Sequence, residues 1–174
     1  MFLENEIIKL RSVEPEDAET MWIVESDSEQ WMQNGMSAPL SRQNLTDYAL
    51  SYDADPVRAG QLRLIIESKP EKGIIGIADL YDISVQHRHA FVGIYIFPHV
   101  RRSGLALASL DLLERYAFNL LNIRHLVAKV MEDNAASSNL FEKAGYVYRG
   151  ELPEWYQTGN EFRSLKILSK IIAG

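Results

Sequence analysis

The chain has 174 residues, 47% of them hydrophobic and 24% charged, and it has no cysteine. At roughly 150 residues per domain this is one domain, residues 1–174, large enough to bury a core without a staple; the missing cysteine excludes a disulfide scaffold, a thiolate zinc site and a cysteine nucleophile. Eighteen basic against 24 acidic side chains leave a net charge of −6, which disfavours broad nucleic-acid binding, permits a cationic substrate and otherwise aids solubility.

The first six residues are acidic and their apolar part is too short for a signal peptide. No apolar run approaches the roughly 18 residues of a membrane span, so a soluble, cytoplasmic protein with no membrane partner is expected. Residues 7–11 read as a short strand. Glu14-Pro15-Glu16-Asp17 opens a helix, with proline early and carboxylates in the first turn; Ala18, Met21, Trp22 and Glu25 share one face of it. Residues 26–40 are polar and turn-rich, with Trp31, Gly35 and Pro39, and Ser41 caps a second helix reaching about Tyr52. Residues 61–67 alternate around Leu62, Leu64 and Ile66 as a strand, and residues 69–73 form a hairpin turn. Two more strands follow, residues 73–80 and residues 89–97, the latter bounded by Pro98. The period then changes: Leu105, Ala108, Leu112, Leu113, Tyr116, Ala117 and Leu120 fall at helical spacing over residues 104–121. Residues 125–131 are a strand, and residues 134–144 a short helix closed by Gly145. Residues 146–150 and 163–168 are the last two strands, with a turn at Thr158-Gly159-Asn160. The order β-α-α-β-β-β-α-β-α-β-β is a mixed α/β (α+β) domain with a strand-to-helix crossover at its centre. The four histidines, at 87, 89, 99 and 125, show no ligand spacing, so no metal site is expected.

Residues 91–108 carry the chemistry. An apolar strand runs into Arg101-Arg102-Ser103-Gly104-Leu105-Ala106, and a long helix follows. A loop of small and basic residues that opens a helix presents unpaired backbone N–H groups and the positive end of the helix dipole, a ready site for an anion. Gly104 lets backbone approach a phosphate, and Ala106 keeps the first turn slim. The run is neither a dinucleotide fingerprint, which needs G-x-G-x-x-G, nor a Walker loop, which needs G-K-[ST].

Arg101-x-x-Gly104-x-Ala106 followed by Asn134 and the run Phe141-Glu142-Lys143-Ala144-Gly145-Tyr146 resembles the GNAT superfamily of acetyl-CoA-dependent N-acetyltransferases over nearly the whole chain. Residues 76–83, Arg88-His89-Ala90 and Gly150-Glu151-Leu152 with Arg163 look like its spermidine N-acetyltransferase branch, and the ribosomal-protein alanine acetyltransferase branch is the next in likeness. The resemblance implies a mixed, mostly antiparallel sheet splayed between its fourth and fifth strands and flanked by helices. It implies acetyl-CoA as co-substrate, its pantetheine arm lying between those strands. The fourth strand then supplies Ile94, Tyr95 and Ile96, with a bulge that aims a backbone N–H at the thioester carbonyl. Arg101, Arg102, Ser103, Gly104, Leu105 and Ala106 hold the pyrophosphate, Asn134 bonds the pantetheine amides, and Phe141 and Lys143 line the same cleft. The family's tyrosine, general acid for the leaving thiolate, is Phe141 here, with Tyr95, Tyr146, Tyr148, Tyr156 or a water as substitutes.

The acceptor amine reacts as its free base. With a pKa near 10.4 its deprotonation at pH 7 costs roughly 4.6 kcal/mol, which a carboxylate helps to meet. The candidate bases are Asp79, Asp82 and Glu154. Trp155 beside Glu154 offers a face to a cation. The expected activity is N-acetylation of a small primary amine, a polyamine first, and without an acyl-cysteine the amine attacks directly in a ternary complex. A protein N-terminus or an aminoglycoside-type amine is the alternative acceptor, and a CoA-binding module with little catalysis is the alternative of another class. Residues 31–39 hold no carboxylate, where the spermidine branch is acidic. The late hairpin offers an edge for a homodimer or higher homo-oligomer.

Overall fold

The computed structural model describes residues 3–27 and 38–172. In chain order the elements are β1 (Ile8–Ser12), α1 (Ala18–Glu25), α2 (Arg42–Leu50), α3 (Pro56–Ala59), β2 (Leu62–Ser68), β3 (Gly73–Ser84) and β4 (His89–Ile96). They continue with α4 (Leu105–Asn119), β5 (His125–Met131), α5 (Ala135–Lys143), β6 (Val147–Thr158) and β7 (Glu161–Ile171). The strands form one seven-stranded sheet in the order β1-β2-β3-β4-β5-β7-β6. Every neighbouring pair is antiparallel except β4 and β5. Those two run parallel and pair only at His89–His125, Ala90–Leu126 and Phe91–Val127. Beyond Phe91 and Val127 the ladder stops, and the sheet is split there as expected.

Local chemistry sets the helix starts. Ser41 Oγ accepts from the Asn44 N–H at 3.1 Å to open α2, and Asn134 Oδ1 accepts from the Ser137 N–H at 3.1 Å to open α5. The expected strand at 125–131 and the turn at Thr158-Gly159-Asn160 stand where the sequence puts them. Three features differ. α3 was not expected; Asp55 Oδ1 accepts from the N–H groups of Val57 and Arg58, and Pro56 sits in its first turn. β3 runs on from Leu80 to Ser84 through a register shift. The last two strands exceed the expected 146–150 and 163–168, because their pairing with each other, rather than apolar alternation, carries them outward. Pro153 sits on the edge strand, inside the register shift between Leu152 and Tyr156. Trp31, Gly35 and most of residues 31–39 lie outside the described residues.

Strand alternation divides the sheet into two unlike faces. Leu62, Leu64, Ala78, Leu80, Ala90, Val92, Leu126, Ala128 and Val130 are buried together with Leu105, Leu110, Leu112, Leu113 and Ala117, so α4 covers this face. On the opposite face Ile65 and Ile77 pack with Met21, Val24, Leu45 and Ala49 of α1 and α2. Arg63, Asp79, Tyr81, Phe91, Gly93 and Lys129 alternate with the first set and therefore share the second face.

Candidate active site

A cavity of about 770 Å³ passes through the split. Val92, Ile94, Ser137 and Phe141 line it on the α4 and α5 side, and Arg63, Asp79, Gly93, Tyr95, Lys129, Trp155 and Tyr156 line it on the other. The Phe97 N–H bonds to the Ile75 carbonyl at 2.9 Å, so by alternation Val92, Ile94 and Ile96 turn their backbone groups toward the split. The Ile96 carbonyl accepts there from Arg101 Nε at 2.9 Å. Ile94 thus offers a bare strand edge to which an extended, amide-bearing chain can add as another strand. β4 keeps register with β3 from Tyr81–Phe91 to Gly76–Ile96, so the bulge expected at residues 94–96 is not a register shift; the shift in this ladder lies between Tyr81 and Ser84. The local irregularity is the Tyr95 carbonyl, which leans over Gly76 so closely that a Cβ there would come within 2.0 Å of its oxygen.

Beyond β4 a 3-10 turn, Pro98–Val100, leads into the basic loop. Gly104 is the N-cap of α4 with φ +81°, and it offers no side chain to the first turn. Among the described residues no acceptor meets the backbone N–H groups of Ser103, Gly104, Leu105 and Ala106. Nothing lies within 4 Å of where a Gly104 Cβ would stand. These donors, at the positive end of a 15-residue helix, fit a phosphate. Arg102, at φ +63°, is exposed beside them. Arg101 is tied to Ile96 and lies 5.6 Å over the Tyr95 ring, and the Ser103 hydroxyl donates to the Val100 carbonyl. Gly104 and Lys143 border a second hollow, of about 460 Å³. Asn134 serves as the cap of α5. Phe141 is 5% exposed, with its ring 4.9 Å from that of Tyr146.

On the α1 and α2 side three charges are bound into one unit. Arg63 Nε and Nη2 donate to the two oxygens of Asp79 at 2.8 and 3.0 Å, and Nη1 donates to Glu25 Oε1 at 2.8 Å. β1 pairs with β2 only as far as Leu64. The bare backbone at Arg63 is met by the Tyr52 hydroxyl, which donates to the Arg63 carbonyl and accepts from its N–H at 2.7 and 2.8 Å. Burial pushes the Tyr81 phenol up to about 12, with Tyr156 and the Asp82 and Asp79 charges adding to it. Burial also raises Tyr156, and it raises Tyr95 against the pull of Arg101. These phenols keep their protons at neutral pH and remain hydrogen-bond donors.

Of the three candidate bases only Asp79 lines the cavity. Asp82 and Glu154 are exposed, each at a register shift with left-handed φ, +48° and +52°. Of the tyrosines named as substitutes for the missing general acid, Tyr95 and Tyr156 line the cavity, Tyr146 is buried behind Phe141, and Tyr148 is exposed. Arg63, Glu25 and Lys129 were not foreseen. Arg63 had a readable signal, since it alternates with Leu62 and Leu64 and so leaves the core-facing row.

The fold has counterparts. The family model described as Acetyltransferase (GNAT) domain matches residues 8–147. A spermidine N(1)-acetyltransferase of Vibrio cholerae serotype O1 is 28% identical over 104 residues, 60% of each chain. One from Escherichia coli K12 is 26% identical over 160 residues, 90% of this chain and 82% of the relative. Among solved structures, a spermidine N-acetyltransferase from Vibrio cholerae in complex with CoA and spermine superposes with TM-score 0.82 at 23% identity, covering 96% of both chains. A probable acetyltransferase does so with TM-score 0.82 at 19% identity, covering 96% of this chain and 94% of the other. The split sheet, the loop of unpaired N–H groups before α4 and the family match converge: the chain belongs to the GNAT acetyltransferase domain family.

Proposed function

We propose that this protein moves the acetyl group of acetyl-CoA onto a small primary amine by direct attack in a ternary complex. The observation that carries the reading is the cavity through the split, with the bare Ile94 edge at one side and a charged floor at the other; the Gly104 loop, with its unpaired N–H groups, borders a second hollow. The N–H groups of residues 103–106, with Arg102 and Lys143, hold the pyrophosphate; the Ile94 edge and Asn134 hold the amide-bearing arm; Phe141 walls it. Attack forms the N–C bond and breaks the C–S bond. The amine proton passes to Asp79, directly or through one water, and sulfur departs as thiolate. Each Asp79 oxygen accepts one bond from Arg63 and keeps a lone pair for this task. With no cysteine in the chain, direct attack is the simplest route.

The spermidine relatives and the net charge of −6 support a polyamine acceptor. A solved structure described as the dodecameric spermidine N-acetyltransferase from Vibrio cholerae supports a homo-oligomer here, and the exposed Val147, Leu152 and Phe162 on the last hairpin suit one. Phe141 favours a second reading, a CoA-binding module with little catalysis. Thiol release from acetyl-CoA with polyamines, amino acids, peptides and aminoglycosides separates the two. Turnover with one class supports the transferase. Thermal stabilisation by CoA without turnover of any amine supports the module, and no stabilisation at all overturns both.

A further inference from the structure

Resting on the transferase reading but replacing its polyamine acceptor, the geometry points to an acceptor that carries a carboxylate beside its reactive amine, and to Lys129 as the residue that receives the carboxylate. Four residues lie at one level across the outer face of the sheet. Arg63 stands opposite Asp79, and Asp79 opposite Gly93. Gly93 and Lys129 each stand two residues past the last β4–β5 pair, Phe91–Val127. Gly93 leaves the floor between Asp79 and Lys129 without a side chain; a Cβ there would already touch Asp79 Cβ at 3.8 Å and the Tyr81 ring at 3.9 Å.

The charges on this floor select against a polycation. Both acids that line the cavity among the described residues, Glu25 and Asp79, are bonded to the same guanidinium. Across the gap the Lys129 ammonium lies 4.2 Å from the Phe91 ring centroid and 5.7 Å from that of Tyr81. No carboxylate among the described residues pairs with it. Lys129 is exposed; a cation that rests on aromatic rings at the border of a cavity, without a counter-ion, is complementary to an anion. The four charged side chains sum to zero, so a ligand with one ammonium and one carboxylate leaves the cavity neutral. A polyamine brings two or more ammonium groups against shared carboxylates and the like charge of Lys129, which works as a repulsive element of specificity. A phosphorylated amine overshoots in the other direction.

The test uses acceptors matched in their reacting amine: putrescine against 4-aminobutyrate, and cadaverine against lysine, which is cadaverine with a carboxylate added. Thiol release from acetyl-CoA gives kcat/KM for each. The carboxylate-bearing member of each pair is expected to lead by about tenfold or more, and Lys129→Glu to invert the ratio by about a hundredfold. Lys129→Gln falls between, and the unfolding temperature reports that both variants fold. The proposal is overturned where the diamine leads in both pairs, or where neither variant moves the ratio because Lys129 is a solvated lysine resting its stem on Phe91. Acetylated diamines alone overturn this proposal and leave the transferase standing; CoA binding without acetylation of any amine overturns the transferase itself.

Discussion

The two faces of one sheet have been put to opposite uses. Under α4 the strands present Leu64, Ala78, Leu80, Val92, Leu126 and Ala128, all nearly inaccessible to water. One residue along each strand, the other face presents Arg63, Asp79, Gly93 and Lys129. The first face is uniform because it only has to exclude water; burial of each large side chain contributes about 1.5–3 kcal/mol. The second face exposes charge inside a cavity, which costs desolvation unless partners stand at hydrogen-bond distance. Arg63 is that partner for two acids at once. Stability and chemistry are therefore separable on this sheet: substitutions under α4 and on the cavity floor, Arg63 excepted, are expected to move one and spare the other.

The largest effect is expected at Asp79. Asp79→Asn keeps the size and part of the bonding to Arg63 but cannot take a proton. Turnover per folded molecule should fall about 10²–10⁴-fold at pH 7. It should recover toward wild type at pH 9, where more of the amine is already neutral. A loss of the same size at both pH values would show that Asp79 only holds Arg63. Asp82→Asn and Glu154→Gln, on exposed bulges, are expected to leave the rate at pH 7 unchanged.

Next comes Arg63. Arg63→Ala leaves Glu25 and Asp79 without their shared partner, at a cost of about 3–5 kcal/mol of unfolding free energy, measured by urea titration. It is the one site on the outer face where stability is expected to fall along with rate. Leu112→Ala is its counterpart under α4: the side chain is fully buried, so a loss of about 2–5 kcal/mol is expected with kcat per folded molecule unchanged. If Leu112→Ala also changed kcat, the two faces would not be separable.

How far this division could be read from the chain depends on range. The apolar rows were visible because alternation is local: Leu62, Leu64 and Ile66 predict a strand, and the helical spacing of Leu105 through Ala117 predicts its cover. The loop of unpaired N–H groups at the start of α4 was visible for the same reason, since Gly104 and the helix that follows are neighbours in sequence. The Arg63 unit was not. Its acids come from the strand partner at 79 and from a helix 38 residues earlier, and only the register of β2 on β3 brings them together. The length of β6 was hidden too, because an exposed edge strand with Pro153 has no core-facing row to announce it.

The paired end of the split offers a smaller effect, on stability alone. His125 stands opposite His89. Burial holds its imidazole below the ordinary 6.5, and Arg149, His89 and Arg124 add to this. A histidine lowered in the folded state binds fewer protons than in the unfolded chain between those two values. Its contribution is therefore present above pH 6.5 and is lost as pH falls through 6.5 toward the folded value. Urea midpoints at pH 7.5 and 5.5 should differ for the wild type, and differ less for His125→Gln. An equal difference in both would place the acid sensitivity elsewhere.

The smallest expected effect is at Phe141, where the apolar face meets the cavity and where the resemblance implies a general-acid tyrosine. Phe141→Tyr restores a phenol at the wall. If protonation of the leaving sulfur limited the rate, the gain would be about 10²–10⁴-fold. A thiol with a pKa near 8.5 leaves largely as thiolate at neutral pH, and Tyr95 and Tyr156 already bring neutral phenols to the same cavity. The expected gain in kcat is therefore below tenfold, under about 1.4 kcal/mol of barrier. A larger gain would mean that sulfur protonation limits the wild type, and that Phe141 belongs with the chemistry of the outer face rather than with the packing under α4.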